Sequence, residues 1–299
     1  MNKNSELNNY ILWTAIITPM LSDLKIDFDS LEKLLRRQEM AKNGVILLGS
    51  TGEGLALSRK DKEAVLKFSL GLKLSIPMIA GVQGHQMEEA LDWMSFAKTA
   101  GIAGFLAVTP YYAKPGVQGQ KKWFQQILDH ANLPVMLYNV PSRAGVRLDP
   151  MVVTELKDHP ALWALKESSG SLASLLEYQS SNPRLTLFCG DDGLIAEFAQ
   201  HGAKGLISVA ANVWPEATHK ITELCLAGNA QDLAFWPECA DALFLASNPV
   251  PVKWLHYFKR EIKSPVTRAP LEAGDFKETE KLIAADLKVE TWLKERSTR

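Results

Sequence analysis

Cysteine is scarce in this chain of 299 residues. The three present, Cys189, Cys225 and Cys239, form no CxxC pair and show no metal-ligand spacing. An odd number among apolar neighbours predicts buried, reduced thiols and excludes a disulfide framework. Histidine is thin as well: His85, His130, His159, His201, His219 and His256 are dispersed, so no metal is expected. No window approaches the roughly 20 apolar residues of a membrane span. The opening stretch, MNKNSELNNY, lacks the apolar centre of a signal peptide. The expectation is a cytoplasmic protein that does not engage a membrane. An excess of one charge is missing too, with 33 basic and 34 acidic residues and a net charge of -1. Basic residues are scattered, which excludes bulk attraction to nucleic acid or anionic lipid. Small-molecule chemistry fits better.

What is present is a regular alternation. At 46% hydrophobic and 22% charged, the chain has the composition of a globular protein with a substantial core. Short apolar runs at 12–18, 45–48, 77–80, 104–108, 134–138, 162–166, 185–189 and 205–208 alternate with amphipathic helical stretches. Examples of the latter are DSLEKLLRRQEMAKNG, SRKDKEAVLKFSLGLK and MEEALDWMSFAKTAG, several closed by a glycine helix stop. Eight βα units predict an α/β fold, a (β/α)8 TIM barrel, over residues 1–230. Beyond that, three helical segments near 231–246, 250–263 and 276–295 predict a helical appendage over 231–299.

In such barrels the reactive groups sit at the C-terminal ends of the strands. The sixth run ends in Lys166 after the apolar ALWAL. Over an apolar floor, desolvation disfavours the ammonium form and exposes a nucleophilic amine; the alternative is a lysine that snorkels to the rim or pairs with Glu167. The fifth run ends in Tyr138, placed either to shuttle a proton to a carbinolamine on Lys166 or to pack with its hydroxyl satisfied. Arg143, in NVPSRAG beyond it, offers a planar fork for a carboxylate, or is a solvated loop arginine. GSTGEG (49–54) after the second run sets backbone N–H groups and two hydroxyls in a tight turn, a small carboxylate cradle or only a turn. It is not a phosphate loop, because the GxxxxGK[ST] spacing is missing. TPYYAKPG (109–116) reads as an aromatic lid or interface patch. In CGDD (189–192), Asp191 or Asp192 is expected to cap the following helix. GLISVAAN (205–212) leaves room for a ligand through its small residues.

Together GSTGE, TPYY, YNVPSRAG, LKESSG, GDD, GLISVAAN and NPVPVKW (248–254) resemble the dihydrodipicolinate synthase and N-acetylneuraminate lyase family of class I pyruvate aldolases. The resemblance runs from about residue 12 to about residue 270. It implies that Lys166 is the Schiff-base lysine and Tyr138 the proton-transferring tyrosine. It further implies that Ser50 and Tyr112 complete the proton relay, with Tyr112 reaching across a dimer interface. Thr51 would hold the pyruvate carboxylate, Ile207 a pyruvate-contacting backbone position, and Arg143 the second substrate's carboxylate. The implied reaction condenses pyruvate with L-aspartate 4-semialdehyde, needs no cofactor, and belongs to a homo-oligomer, a dimer of dimers.

Two departures qualify the match. The GSTGE spelling, with Ser50 where synthases usually carry threonine, is common among sialic acid lyases; Arg143 argues for the synthase branch, because lyases typically lack it. A lyase acting on a sugar-derived 2-oxo acid and a catalytically silent 2-oxo-acid-binding barrel are therefore the rival expectations. The second departure concerns an interface pocket for feedback by lysine, implied at Gly54, Leu55, Arg59, Lys62, His85, Glu89 and Tyr111. Arg59 and Lys62 place two cations there, and an incoming ammonium would be repelled. Weak or absent inhibition by lysine is expected.

Overall fold

Each apolar run becomes a strand in the computed structural model, which describes residues 6–297; the first five residues, part of the stretch read for a leader, lie outside it. The strands are β1 Leu12–Ala15, β2 Gly44–Leu47, β3 Met78–Val82, β4 Gly104–Val108, β5 Val135–Asn139, β6 Leu162–Glu167, β7 Thr186–Cys189 and β8 Leu206–Ser208. All neighbours are parallel and β1 pairs with β8, so the sheet closes in sequence order into the expected (β/α)8 barrel. Both faces of every strand are covered, which is why the runs are continuously apolar and show no polar alternation. Trp13, Ile46, Ile79, Met136, Ala164, Phe188 and Ile207 fill the barrel. Leu12, Val45, Leu47, Leu137, Leu165 and Leu187 point outward into the core shared with the helices.

The largest boundary difference is at β1, expected to reach residue 18 but ending at Ala15. Beyond it the backbone is claimed by Asn212, whose Oδ1 accepts from the Ile17 N–H at 2.9 Å and whose Nδ2 donates to the Ala15 carbonyl at 2.8 Å, while the Thr18 side chain donates to the Gly52 carbonyl at 2.7 Å. Helix Met87–Ala100 stops at Gly101 in the left-handed conformation, as expected. Helix Phe28–Met40, however, ends before Gly44, which opens β2; the left-handed turn is made by Lys42 (φ 57°).

The barrel floor is sealed by aromatic rings. Trp13 meets Trp163 edge-on at 5.5 Å between centroids, and Trp163 meets Phe188 at 6.0 Å. The cavity therefore opens at the opposite end, above Lys166.

The terminal segments form helices Trp236–Asp241, Val250–Phe258 and Thr279–Ser297, with a 3-10 turn at Ala242–Phe244. These lie against the barrel. Trp236 Nε1 donates to the Asp192 carbonyl at 2.7 Å, and Trp214 Nε1 to Asp286 Oδ1 at 2.7 Å. Among the described residues no helix is long and apolar enough to cross a membrane.

Candidate active site

Strand register brings the first two candidates together. Tyr138 on β5 is directly opposite Lys166 on β6, and Lys166 in turn faces Phe188 on β7. Because side chains alternate along a strand, Ala164 and Lys166 point into the barrel while Leu165 and Glu167 point out. Lys166 is 6% exposed, and its Nζ lies 4.2 Å from the centre of the Tyr138 ring. The alternative of a Lys166–Glu167 pair is not what forms. The Glu167 carboxylate accepts from Asn139 Nδ2 at 2.8 Å, the Ser169 N–H at 2.7 Å and Ser174 Oγ at 3.3 Å. Burial raises its pKa despite those bonds.

Lys166 and Tyr138 border a cavity of about 210 Å³ at the barrel mouth, together with Ser50, Thr51, Arg143 and Asp191. Strand β7 contributes an absence: a Cβ on Gly190 would stand 2.7 Å from Lys166 Cε and would also collide with Ser168 Oγ. Only glycine leaves the lysine side chain its place. A second cavity of about 380 Å³ adjoins the first, sharing Ser50, Val140, Arg143 and Asn248, and is bordered by Tyr111 and Leu55.

The GSTGEG turn is held from the far end of the chain. Thr51 Oγ1 accepts from Asn248 Nδ2 at 2.9 Å. Glu53, in the left-handed conformation (φ 54°), forms a buried ion pair with Lys253 and accepts from the Arg268 N–H at 2.7 Å. Burial pushes the Lys253 ammonium pKa down, and the attraction of Glu53 opposes this. Lys253 Nζ also donates to the Val266 carbonyl at 2.9 Å.

Arg143 sits on the short helix Pro141–Ala144, exposed and bordering both cavities. Ser50 borders both as well. Ile207 is fully buried in the interior stack, two residues below Val209, which does border the cavity. Tyr112 is not brought to this cavity. It is 88% exposed with φ 66°, its N–H donating to the Ala144 carbonyl at 3.2 Å. Its neighbour Tyr111 is half-buried, edge-on to His85 at 5.8 Å.

The expected helix cap in CGDD takes a different form. Neither Asp191 nor Asp192 caps the turn Asp192–Leu194 with its side chain. Asp192 instead accepts from the Val209 N–H at 2.9 Å, the Ala210 N–H at 3.2 Å and Ser208 Oγ, tying β7 to the end of β8. Burial pushes its carboxyl up to about 6, with those bonds opposing. Burial also raises Asp191, opposed chiefly by the positive charge of Lys166.

Asn248 and Phe244, which no sequence reading singled out, border the cavity, as does Asp191, expected only as a helix cap. Asn248 and Thr51 are 197 residues apart, and only the NPVPVKW spelling hinted at the former. At the implied lysine pocket, Arg59 is engaged by Glu63 and Asp92, each at 2.7 Å. Lys62 lies over the Trp93 ring at 5.6 Å, with its pKa lowered by burial and then by Arg59. Among the described residues no group of three or more His, Cys, Asp or Glu is arranged to hold a metal.

The chain is similar to known proteins over nearly its whole length. The model of the dihydrodipicolinate synthetase family matches residues 9–288. The chain is 42% identical over 287 residues to the 4-hydroxy-tetrahydrodipicolinate synthase of Wolbachia pipientis wMel, covering 96% of this chain and 98% of that one. It is 45% identical over 290 residues to the enzyme of the same name from Francisella philomiragia, covering 96% and 98%. Among solved structures, the chloride-inhibited dihydrodipicolinate synthase of Acinetobacter baumannii, complexed with pyruvate, superposes with a TM-score of 0.86 at 31% identity, covering 94% of this chain and 98% of that one.

Proposed function

The chain belongs to the dihydrodipicolinate synthetase family, and on that premise we propose that it condenses pyruvate with L-aspartate 4-semialdehyde, the reaction of a 4-hydroxy-tetrahydrodipicolinate synthase. The observation that carries this is an inward lysine, nearly closed off from solvent, beside an inward tyrosine at the top of the barrel.

The chemistry follows from these groups. Lys166 Nζ attacks the pyruvate ketone, Tyr138 and Ser50 pass the protons that turn the carbinolamine into an imine, and water leaves. Loss of a methyl proton gives an enamine, since the protonated imine accepts the electron pair. The enamine carbon attacks the semialdehyde carbonyl. The adduct's amine then adds to the imine carbon, releasing Lys166 and closing the ring. Thr51 and the turn around it supply donors for the pyruvate carboxylate, and Arg143 supplies a fork for the second carboxylate. Ile207 contributes backbone beneath pyruvate. The relay is completed by Tyr112 of a second copy, so the active form is at least a dimer and, by family likeness, a dimer of dimers. Its high exposure suits that role. With Arg59 and Lys62 at the implied effector pocket, L-lysine is expected to inhibit weakly or not at all; strong inhibition below the millimolar range contradicts this.

Borohydride reduction in the presence of pyruvate tests the proposal. A stable mass increase mapped to Lys166, together with turnover of the semialdehyde and none of N-acetylneuraminate, is the expected result. An unmodified Lys166 defeats it.

A further inference from the structure

The cavity beside Lys166 contains more hydrogen-bonding capacity than pyruvate uses. Asn248 Oδ1, Asp191 Oδ2 and Ser168 Oγ are closed off from solvent there without a hydrogen-bond partner. Asn248 is 5% exposed and Ser168 8%. Leaving a buried polar atom unpaired costs about 1–3 kcal/mol, so three bordering one small cavity are placed to receive a donor group. Their chemistry is one-sided. An amide oxygen and a carboxylate oxygen only accept, and a hydroxyl is able to. Carboxylates are provided for elsewhere, by Arg143 and the Ser50–Thr51 turn. A group with three N–H donors and no acceptor is what this set lacks, and an ammonium is such a group.

Building on the function proposed above, we infer that Asn248, Asp191 and Ser168 form a subsite for the ammonium of the amino-aldehyde substrate, so that the enzyme holds that substrate by both ends of its amino-acid moiety. Asn248 then serves two substrates at once. Its Nδ2 donates to Thr51 Oγ1, which leaves the Thr51 proton free for the pyruvate carboxylate, while its Oδ1 receives the amine. Asp191 supplies the charge. Its carboxylate borders the same cavity as Lys166. An ammonium bound there is balanced by that carboxylate.

The test compares L-aspartate 4-semialdehyde with succinate semialdehyde, which has the same carbons and no amine, in the full-length enzyme and in Asp191→Asn. The variant is expected to raise KM for the amino-aldehyde about tenfold or more, the scale of a lost charge-assisted hydrogen bond. Inhibition by succinate semialdehyde stays as in the parent. Equal weakening toward both aldehydes, or no weakening, overturns the inference while the proposed function stands. A parent enzyme that traps pyruvate but does not turn over the amino-aldehyde overturns the proposed function, and this inference with it. Ser168→Ala, a milder change, guards against a misfolded Asp191→Asn. It is expected to show the same amine-selective loss at smaller size, and an unselective loss again overturns the inference.

Discussion

A lysine and a tyrosine sharing one rung of the barrel account for most of the proposed chemistry, and each has a separable role. Tyr138→Phe keeps the ring beside Nζ and removes only the hydroxyl. Turnover is expected to fall by about 10²–10⁴-fold, the usual share of a positioned proton-transfer group, while slow trapping of pyruvate on Lys166 persists; retention of full turnover excludes Tyr138 from proton transfer. Asp192 gives a second residue-level expectation. Its folded pKa of about 6 lies above the reference 3.8, so between those values the folded chain holds a proton that the unfolded chain has lost. Its contribution to stability is therefore greatest below that window and declines as pH rises through it, by about 3 kcal/mol in all. Asp192→Asn cannot titrate. The gap in unfolding free energy between parent and variant is expected to shrink from about pH 4 to about pH 6, and denaturant titrations at both ends check it; a gap independent of pH contradicts the assignment. The positions of Lys166, Tyr138 and Arg143 around the barrel mouth were legible from the sequence because strand ends and the loops after them gather there. The partners of Asp192 were not, since acceptor bonds across two strand ends leave no local pattern.

Among the elements, the strands were nearly transparent to sequence because burial on both faces forces apolar runs. Their ends were less so. Strand β1 stops early because Asn212, distant in sequence, captures the Ile17 N–H and the Ala15 carbonyl that would have continued it. The turn after β7 shows how an element limits chemistry by what it omits. Gly190→Ala places a methyl against Lys166 Cε and Ser168 Oγ. Overpacking of this kind costs about 1–3 kcal/mol of stability, and the displaced amine is expected to lose pyruvate trapping more completely than the chain loses its fold. Parallel measurement of melting temperature and borohydride labelling separates the two, and a variant that labels like the parent shows that the turn yields instead. The cradle around Ser50 and Thr51 was legible as a tight Gly-rich turn. What orders it, Asn248 and the buried Glu53–Lys253 pair, was not, because the partners enter from the last fifth of the chain.

At the scale of the whole molecule, the proposed assembly makes its own demand. If Tyr112 serves the neighbouring copy, neither Tyr112→Phe nor Lys166→Ala homo-oligomers are fully active, yet mixing them after reversible dissociation restores sites built from an intact Lys166 and an intact Tyr112. Activity of the mixture well above either parent variant is expected; simple averaging contradicts a shared site. The long reach from Asn248 to Thr51 has a further consequence for biosynthesis. A nascent polypeptide released only through residue 230 owns every barrel strand, but the amide and ammonium that hold the turn around Thr51 and Glu53 are still inside the ribosome. On the proposed reading, competence waits for that closing stretch, and an enzyme assembled this way is silent while half-made.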